Sequence, residues 1–287
     1  MKTLLYATDF SKKSVAALRF AHALSQELQA KLVVLHVFEL PITLASTVST
    51  TYSRREVRAF AEHRERLLAF CAEHLEHLSE DQNITYQIDE GKPIHEIITK
   101  NAIETKADLV VVGTKGGNRL RESLLGSTTT ALISTSHCPV LAVPNDADFQ
   151  GIDKMVYATD FEGTDIFTIE KMIRLVEPLE AELHLVHISS RDTNTSEDQM
   201  KWFQDMLRHK VDYDNIQFDL RYGKNVFETL RSYIDEIAPD MVVMLEREGY
   251  SLIKDLSHRD LVKRMNSQSQ VPLLSFHKKN FIEQHIL

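Results

Sequence analysis

The residues best suited to chemistry in this chain are glycines, and they are concentrated in one stretch. Gly113, Gly116, Gly117 and Gly126 fall between residues 113 and 126 of a chain that has nine glycines in all. They follow the apolar run Val110, Val111, Val112 and lead into Ser127, Thr128 and Thr129. Glycine serves where backbone takes positive φ or must approach another group closely. An apolar strand, a glycine loop and a helix start together predict a phosphate site. The first amides of a helix have no intrahelical partner, and the macrodipole makes that end positive. Other phosphate motifs do not fit, since the chain has no Gly-x4-Gly-Lys-Ser/Thr and no Gly-x-Gly-x-x-Gly directly after a strand.

Other chemically able residues each carry two readings. Asp9 stands at the end of an apolar strand, where it either reaches a ligand or caps the next helix. Lys115, Arg119 and Arg121 either neutralise phosphate or face water. His36 and His187 end matched apolar strands and read as hydrogen-bonded histidines, with no nucleophile patterned beside them. Cys71, His74 and His77 share a helical sector but supply only three of the four ligands that structural zinc takes. Cys138, before Pro139, reads as packing, with apolar flanks that raise a thiol pKa. The Ser/Thr-rich run 43–53 reads as a loop, or as a segment for modification.

The elements that must position these residues alternate. Residues 4–7 form a short strand, 12–29 an amphipathic helix that Ser11 can cap, and 32–37 an uninterrupted apolar strand. Residues 52–79 read as a long charged helix and 84–88 as a strand. A helix begins near Pro93 with Ile94, Ile97 and Ile98 on its inner stripe, and residues 109–112 form a strand. Helix 127–136 and strand 140–143 close the unit. Strands alternating with helices predict a parallel sheet in a layered α/β fold.

The pattern then restarts. Residues 5–10, Leu-Tyr-Ala-Thr-Asp-Phe, recur as 156–161, Val-Tyr-Ala-Thr-Asp-Phe, and His36 meets His187 at the same offset. Further on, Asp108 and Leu109 meet Asp240 and Met241. The repeat predicts two tandem domains, 1–147 and 148–287, joined by a linker over 144–151. The second copy has Leu245 and Glu248 where Gly113 and Gly116 stand, and Ser257 to Asp260 near the place of Gly126. Its phosphate site is expected to be lost, because acid side chains repel phosphate. The last strands, 140–143 and 273–276, are expected to pack the domains about a pseudo-twofold, since both would otherwise be bare sheet edges.

Composition narrows the function. With 287 residues, 43% hydrophobic, the chain can bury two cores. A net charge of −9 and no basic cluster argue against nucleic acid. No apolar run approaches a membrane span, and the first residues do not resemble a signal peptide. Two cysteines are too few for a disulfide framework and point to a reducing, cytoplasmic setting.

With these residues in hand, the chain resembles the universal stress protein family in its tandem form. The family motif of Gly, two residues, Gly, nine residues, Gly and Ser or Thr is matched by Gly113, Gly116, Gly126 and Ser127. Ala7 to Ser11, Leu35 to Val37, and Ser136 to Val140 agree as well. The resemblance implies two Rossmann-like or flavodoxin-like domains (adenine nucleotide alpha hydrolase-like), each a five-stranded parallel sheet with helices on both faces. It also implies a stress-response regulator that binds ATP, with or without Mg2+. Asp9 would then sit by the ribose or adenine with Ala7 and Thr8 beside it, and Val37 would contact adenine. Val112 and Gly113 would floor the site, Gly116 would pass under the phosphates, and Gly126, Ser127 and Thr128 would bind them. The alternatives are a nucleotide-free scaffold working through protein contacts, and a slow ATPase for which no catalytic residue is identifiable. The family's dimers could be met here by an intramolecular pseudo-dimer, with a homodimer left open.

Overall fold

The computed structural model describes residues 1–40, 50–75, 83–114, 126–189, 194–246, 262, 265, 270–277 and 280. In the first half, β1 (Thr3–Thr8), β2 (Lys31–Phe38), β3 (Ile84–Glu90), β4 (Leu109–Gly113) and β5 (Val140–Val143) alternate with α1 (Ser14–Glu27), α2 (Thr50–His74), α3 (Ile94–Glu104) and α4 (Ser127–Thr135). The second half repeats the order with β6 (Lys154–Ala158), α5 (Gly163–Val176), β7 (Glu182–Ser189), α6 (Asn194–Arg208), β8 (Ile216–Tyr222), α7 (Val226–Ile237), β9 (Met241–Glu246) and β10 (Leu273–His277).

The ten strands among the described residues belong to one sheet, ordered β3-β2-β1-β4-β5-β10-β9-β6-β7-β8. Within each half every pairing is parallel. The first half runs 3-2-1-4-5, which is the Rossmann order and not the flavodoxin one. β1 lies between β2 and β4, so the strand order reverses there and opens a crevice at the carboxyl ends. Side chains alternate across the strands. Leu4 and Tyr6 face a core shared with α1, α2, α5 and α6, while Leu5 and Val33 face one shared with α3, α4 and α7. The inner strands are buried on both sides, as their unbroken apolar runs require, while the edge strands β3 and β8 are half-exposed.

The halves join through β5 and β10, which pair antiparallel, Leu274 opposite Leu141. The link between them is packed as well. The Phe149 ring meets Phe20 of α1 edge-on at 4.9 Å, and Lys2 Nζ donates to the Leu175 carbonyl at 2.7 Å. Leu274 is 1% exposed. Leu274→Ala is therefore expected to cost about 2–5 kcal/mol in urea unfolding, because a cavity opens where the core shared by α1, α2, α5 and α6 crosses the β5–β10 seam. A loss near zero would show that the junction tolerates a void.

Local ends differ from the sequence expectation where turn chemistry decides. The first helix starts at Ser14, and Ser11 does not cap it by its side chain. The Ser11 carbonyl instead accepts from the Ser14 amide and hydroxyl. The long helix ends at His74 and not at 79. His77, the loop cations Lys115, Arg119 and Arg121, and most of the Ser/Thr-rich run lie outside the described residues.

Candidate functional site

A cleft of about 360 Å3 opens at the carboxyl ends of β1 and β4. Ala7, Thr8 and Asp9 come from the end of β1, Val37 from β2, and Val112 and Gly113 from β4. Gly126, Ser127 and Thr128 reach it from the start of α4. Gly116 lies outside the described residues. Nine of the ten residues singled out from sequence thus share one cavity.

The cleft has an apolar end and a polar end. Ala7, Val37 and Val112 are joined by Ile94 and Ile98 of α3. Their helical spacing was visible in the sequence, but which wall they form was not. The polar end adds Ser11, Lys13, Ser14, Thr114 and Thr129. Thr129 Oγ1 donates to the Gly113 carbonyl at 3.3 Å, which ties the start of α4 to the end of β4.

Two helix starts converge here, and neither is satisfied by its own side chains. α1 has Lys13 at its cap position with no side-chain cap, and its first turn holds no acid. α4 has Gly126 at its cap, again with no side-chain cap and no acid. Two positive dipole ends without side-chain caps or acids favour an anion in the space between. Asp9 stands exposed at the mouth. Its Oδ1 accepts from the Ser11 amide at 2.9 Å, so it shapes the turn and does not cap α1. Thr8 Oγ1 accepts from the Phe10 amide at 3.1 Å and lies 3.1 Å from Ser14 Oγ.

Gly113 has a further reason to be glycine. A Cβ there would stand 3.3 Å from the Lys13 carbonyl oxygen and 3.5 Å from Ser14 Cα. Part of its role is therefore the close approach of α1 to β4, which brings Lys13 and Ser14 to the cleft.

The second half shows the opposite electrostatics at the matching place. By the offset of the repeat, Asp165 stands where Ser14 stands. It is fully buried. Its carboxylate accepts from the Tyr157 hydroxyl at 2.9 Å, the Thr159 hydroxyl at 2.9 Å, and the amides of Asp160 and Glu162 at 3.1 and 3.2 Å. Glu162 and Asp165 form a reciprocal capping box on α5. Capping in the second copy thus falls to these two acids and not to Asp160. In the first half the matching Tyr6 hydroxyl donates to the Ser14 carbonyl at 2.6 Å. At the end of β9, Leu245 occupies the place of Gly113 and the buried Glu246 that of Thr114. Glu246 Oε1 accepts from Ser134 of α4 at 2.9 Å.

The remaining candidates have structural partners. His36 Nδ1 lies 2.8 Å from the Thr8 carbonyl, and His187 Nδ1 lies 2.8 Å from the Thr159 carbonyl. Burial pushes the Cys71 thiol up to about 12 and the Cys138 thiol up to about 11, so both stay protonated and unreactive. No helix among the described residues is long and apolar enough to cross a membrane.

With this geometry in view, comparison with known proteins is direct. The family model described as the universal stress protein family matches residues 1–144. The universal stress protein YxiE of Bacillus subtilis is 33% identical over 149 residues, covering 49% of this chain and 97% of that protein. Universal stress protein MJ0577 of Methanocaldococcus jannaschii is 29% identical over 153 residues, 50% of this chain and 94% of that one. The crystal structure of a universal stress protein from Archaeoglobus fulgidus superposes with a TM-score of 0.67 at 18% identity, covering 96% of this chain and 98% of the other. That likeness extends the shared fold to both halves.

Proposed function

We propose, from the premise that the chain belongs to the universal stress protein family, that its first half holds ATP in the β1–β4 cleft and that the protein is a nucleotide-dependent regulator of a stress response. The observation that carries this reading is the convergence of two uncapped, acid-free helix starts on one cleft that also has an apolar wall. An adenine ring fits the slot between Val37, Val112, Ile94 and Ile98. Asp9, at the mouth, is placed for the ribose hydroxyls. The phosphates run toward Gly113, Gly126, Ser127 and Thr128, and the sequence motif adds Gly116 to this set.

The second half is assigned no nucleotide. A phosphate at the matching position would meet Asp165, Glu162 and Glu246, and the capping box already takes the Asp165 amide at the start of α5. Calorimetry with ATP is expected to show micromolar binding at a stoichiometry of a single nucleotide per chain. Absence of heat together with an unshifted melting temperature would sink the reading, and two equivalent sites would sink the asymmetry.

A further inference from the structure

We propose that a stack of five side chains between α2 and the β1–α1 turn positions Asp9 at the cleft, that His36 and His63 at its centre do this only as neutral rings, and that nucleotide occupancy therefore falls in acid. This rests on the nucleotide reading above and adds its regulation.

The stack is continuous. The Arg66 guanidinium lies 4.5 Å over the Phe10 ring. Phe10 lies 4.0 Å from the His36 ring, His36 stacks on His63 at 5.0 Å and 21°, and His63 stacks on Phe38 at 4.1 Å and 17°. Phe10 sits between the cleft residues Asp9 and Ser11 with φ at +61°, a conformation that residues with a Cβ avoid. Something must hold it there, and the ring stack is what packs against it. Phe70 adds an edge contact at 5.5 Å.

Hydrogen bonding dictates the protons. The Thr8 carbonyl can only accept, so His36 Nδ1 carries the hydrogen of their 2.8 Å contact. Neutral His36 then offers Nε2 as an acceptor, 3.1 Å from His63 Nδ1, which must carry its own hydrogen. A proton added to His36 Nε2 sets N–H against N–H. A proton added to His63 places a cation beside Arg66.

The charged groups facing the pair are Arg66 and Glu62 from α2 and Asp9 from the turn. Burial is the largest influence on both rings. On His36 the bond to the Thr8 carbonyl opposes burial, while His63 and Arg66 reinforce it and Asp9 pulls weakly the other way; on His63 Arg66 reinforces burial against the weaker pull of Glu62. Both histidines are thereby held below the usual range. For such a base the stacked form binds fewer protons than the opened one. The stack is stable above about pH 6.5 and is progressively lost as pH falls below it.

The second half gives the contrast. Phe161 repeats the left-handed turn at φ +58° and His187 repeats the bond to the strand-end carbonyl. There, however, the buried Asp165 carboxylate gathers the turn amides. The first half has Ser14 in that place, and its turn is held by the Thr8 and Asp9 side-chain bonds to the Phe10 and Ser11 amides together with the ring stack.

The test compares the ratio of ATP affinities at about pH 7.5 and about pH 5.5 in the wild type with the same ratio in His63→Phe, which keeps an aromatic ring, removes one of the two proton sites and takes away the N–H that would oppose a proton on His36; titration of the ligand itself is common to both. The wild-type ratio is expected to exceed the variant's by up to about tenfold, the limit set between these two pH values by one histidine of ordinary pKa near 6.5 that must be neutral for ATP to bind. Equal ratios overturn the inference while leaving ATP binding standing, whereas a wild type that binds no ATP at either pH overturns the nucleotide reading itself. Should the variant not fold, imidazole NMR titrations of the wild type decide the matter. By reciprocity, saturating ATP must lower the pKa of His36 or His63, and unchanged titrations overturn the proposal.

Discussion

Replacing Ser127 with aspartate is expected to abolish ATP binding without unfolding the chain. Ser127 is the first residue of α4, exposed at the cleft, in a helix start with no cap and no acid. An aspartate there complements the helix dipole and stabilises the helix by about 0.3–1 kcal/mol. A phosphate seated on the same amides would meet the new carboxylate at roughly 4–5 Å, which costs about 3–4 kcal/mol at an effective dielectric near 20. That corresponds to a loss of at least about a hundredfold in affinity. The opposite signs of the two effects separate binding from folding. Calorimetry should show the loss while the melting temperature holds or rises. Affinity within a few-fold of wild type would remove the start of α4 from the phosphate site.

The second large effect lies in the other half. Asp165→Ser installs the residue that the first half carries at the same place. It leaves the Tyr157 and Thr159 hydroxyls and the amides of Asp160 and Glu162 without their common acceptor, in a fully buried position. Each buried donor left unmet costs about 1–3 kcal/mol, so a total of at least about 3 kcal/mol is expected after local relaxation. Denaturant unfolding measures it directly. A change below about 1 kcal/mol would mean that the β6–α5 turn is held by other contacts. ATP binding should survive, because the cleft lies at the far side of the β5–β10 junction.

These two residues also show what could be read from sequence. The strands were legible because a parallel sheet covered on both faces leaves unbroken apolar runs, such as Leu32 to Val37. The pairing of 140–143 with 273–276 followed from edge protection and is observed, antiparallel. Strand order was not legible, since Rossmann and flavodoxin orders draw on the same alternation of elements. Asp9, Gly113, Gly126 and the Ser-Thr start of α4 stood out by type, while Ala7, Thr8 and Val112 came with the family resemblance. Lys13, Ile94 and Ile98 did neither, because their part in the wall depends on how α1 and α3 lie over the sheet. Gly113 carried a mixed message, as it admits helix α1 as well as flooring the cleft. Asp165 aligned with Ser14 all along, but a carboxylate after a strand looks like any helix cap until its burial and its four donors are seen.

The antiparallel junction of β5 and β10 has a consequence for how the chain can change. When two identical subunits meet across a twofold, every substitution appears on both sides at once, and a change that ruins one site ruins its mate. Here the partner across the seam is encoded separately. Leu245, Asp165 and Glu246 can occupy one side alone while Gly113, Ser14 and Thr114 remain on the other. Covalent linkage makes the two sides of the seam independently variable, so the surface of one half can change while the other keeps the seam intact.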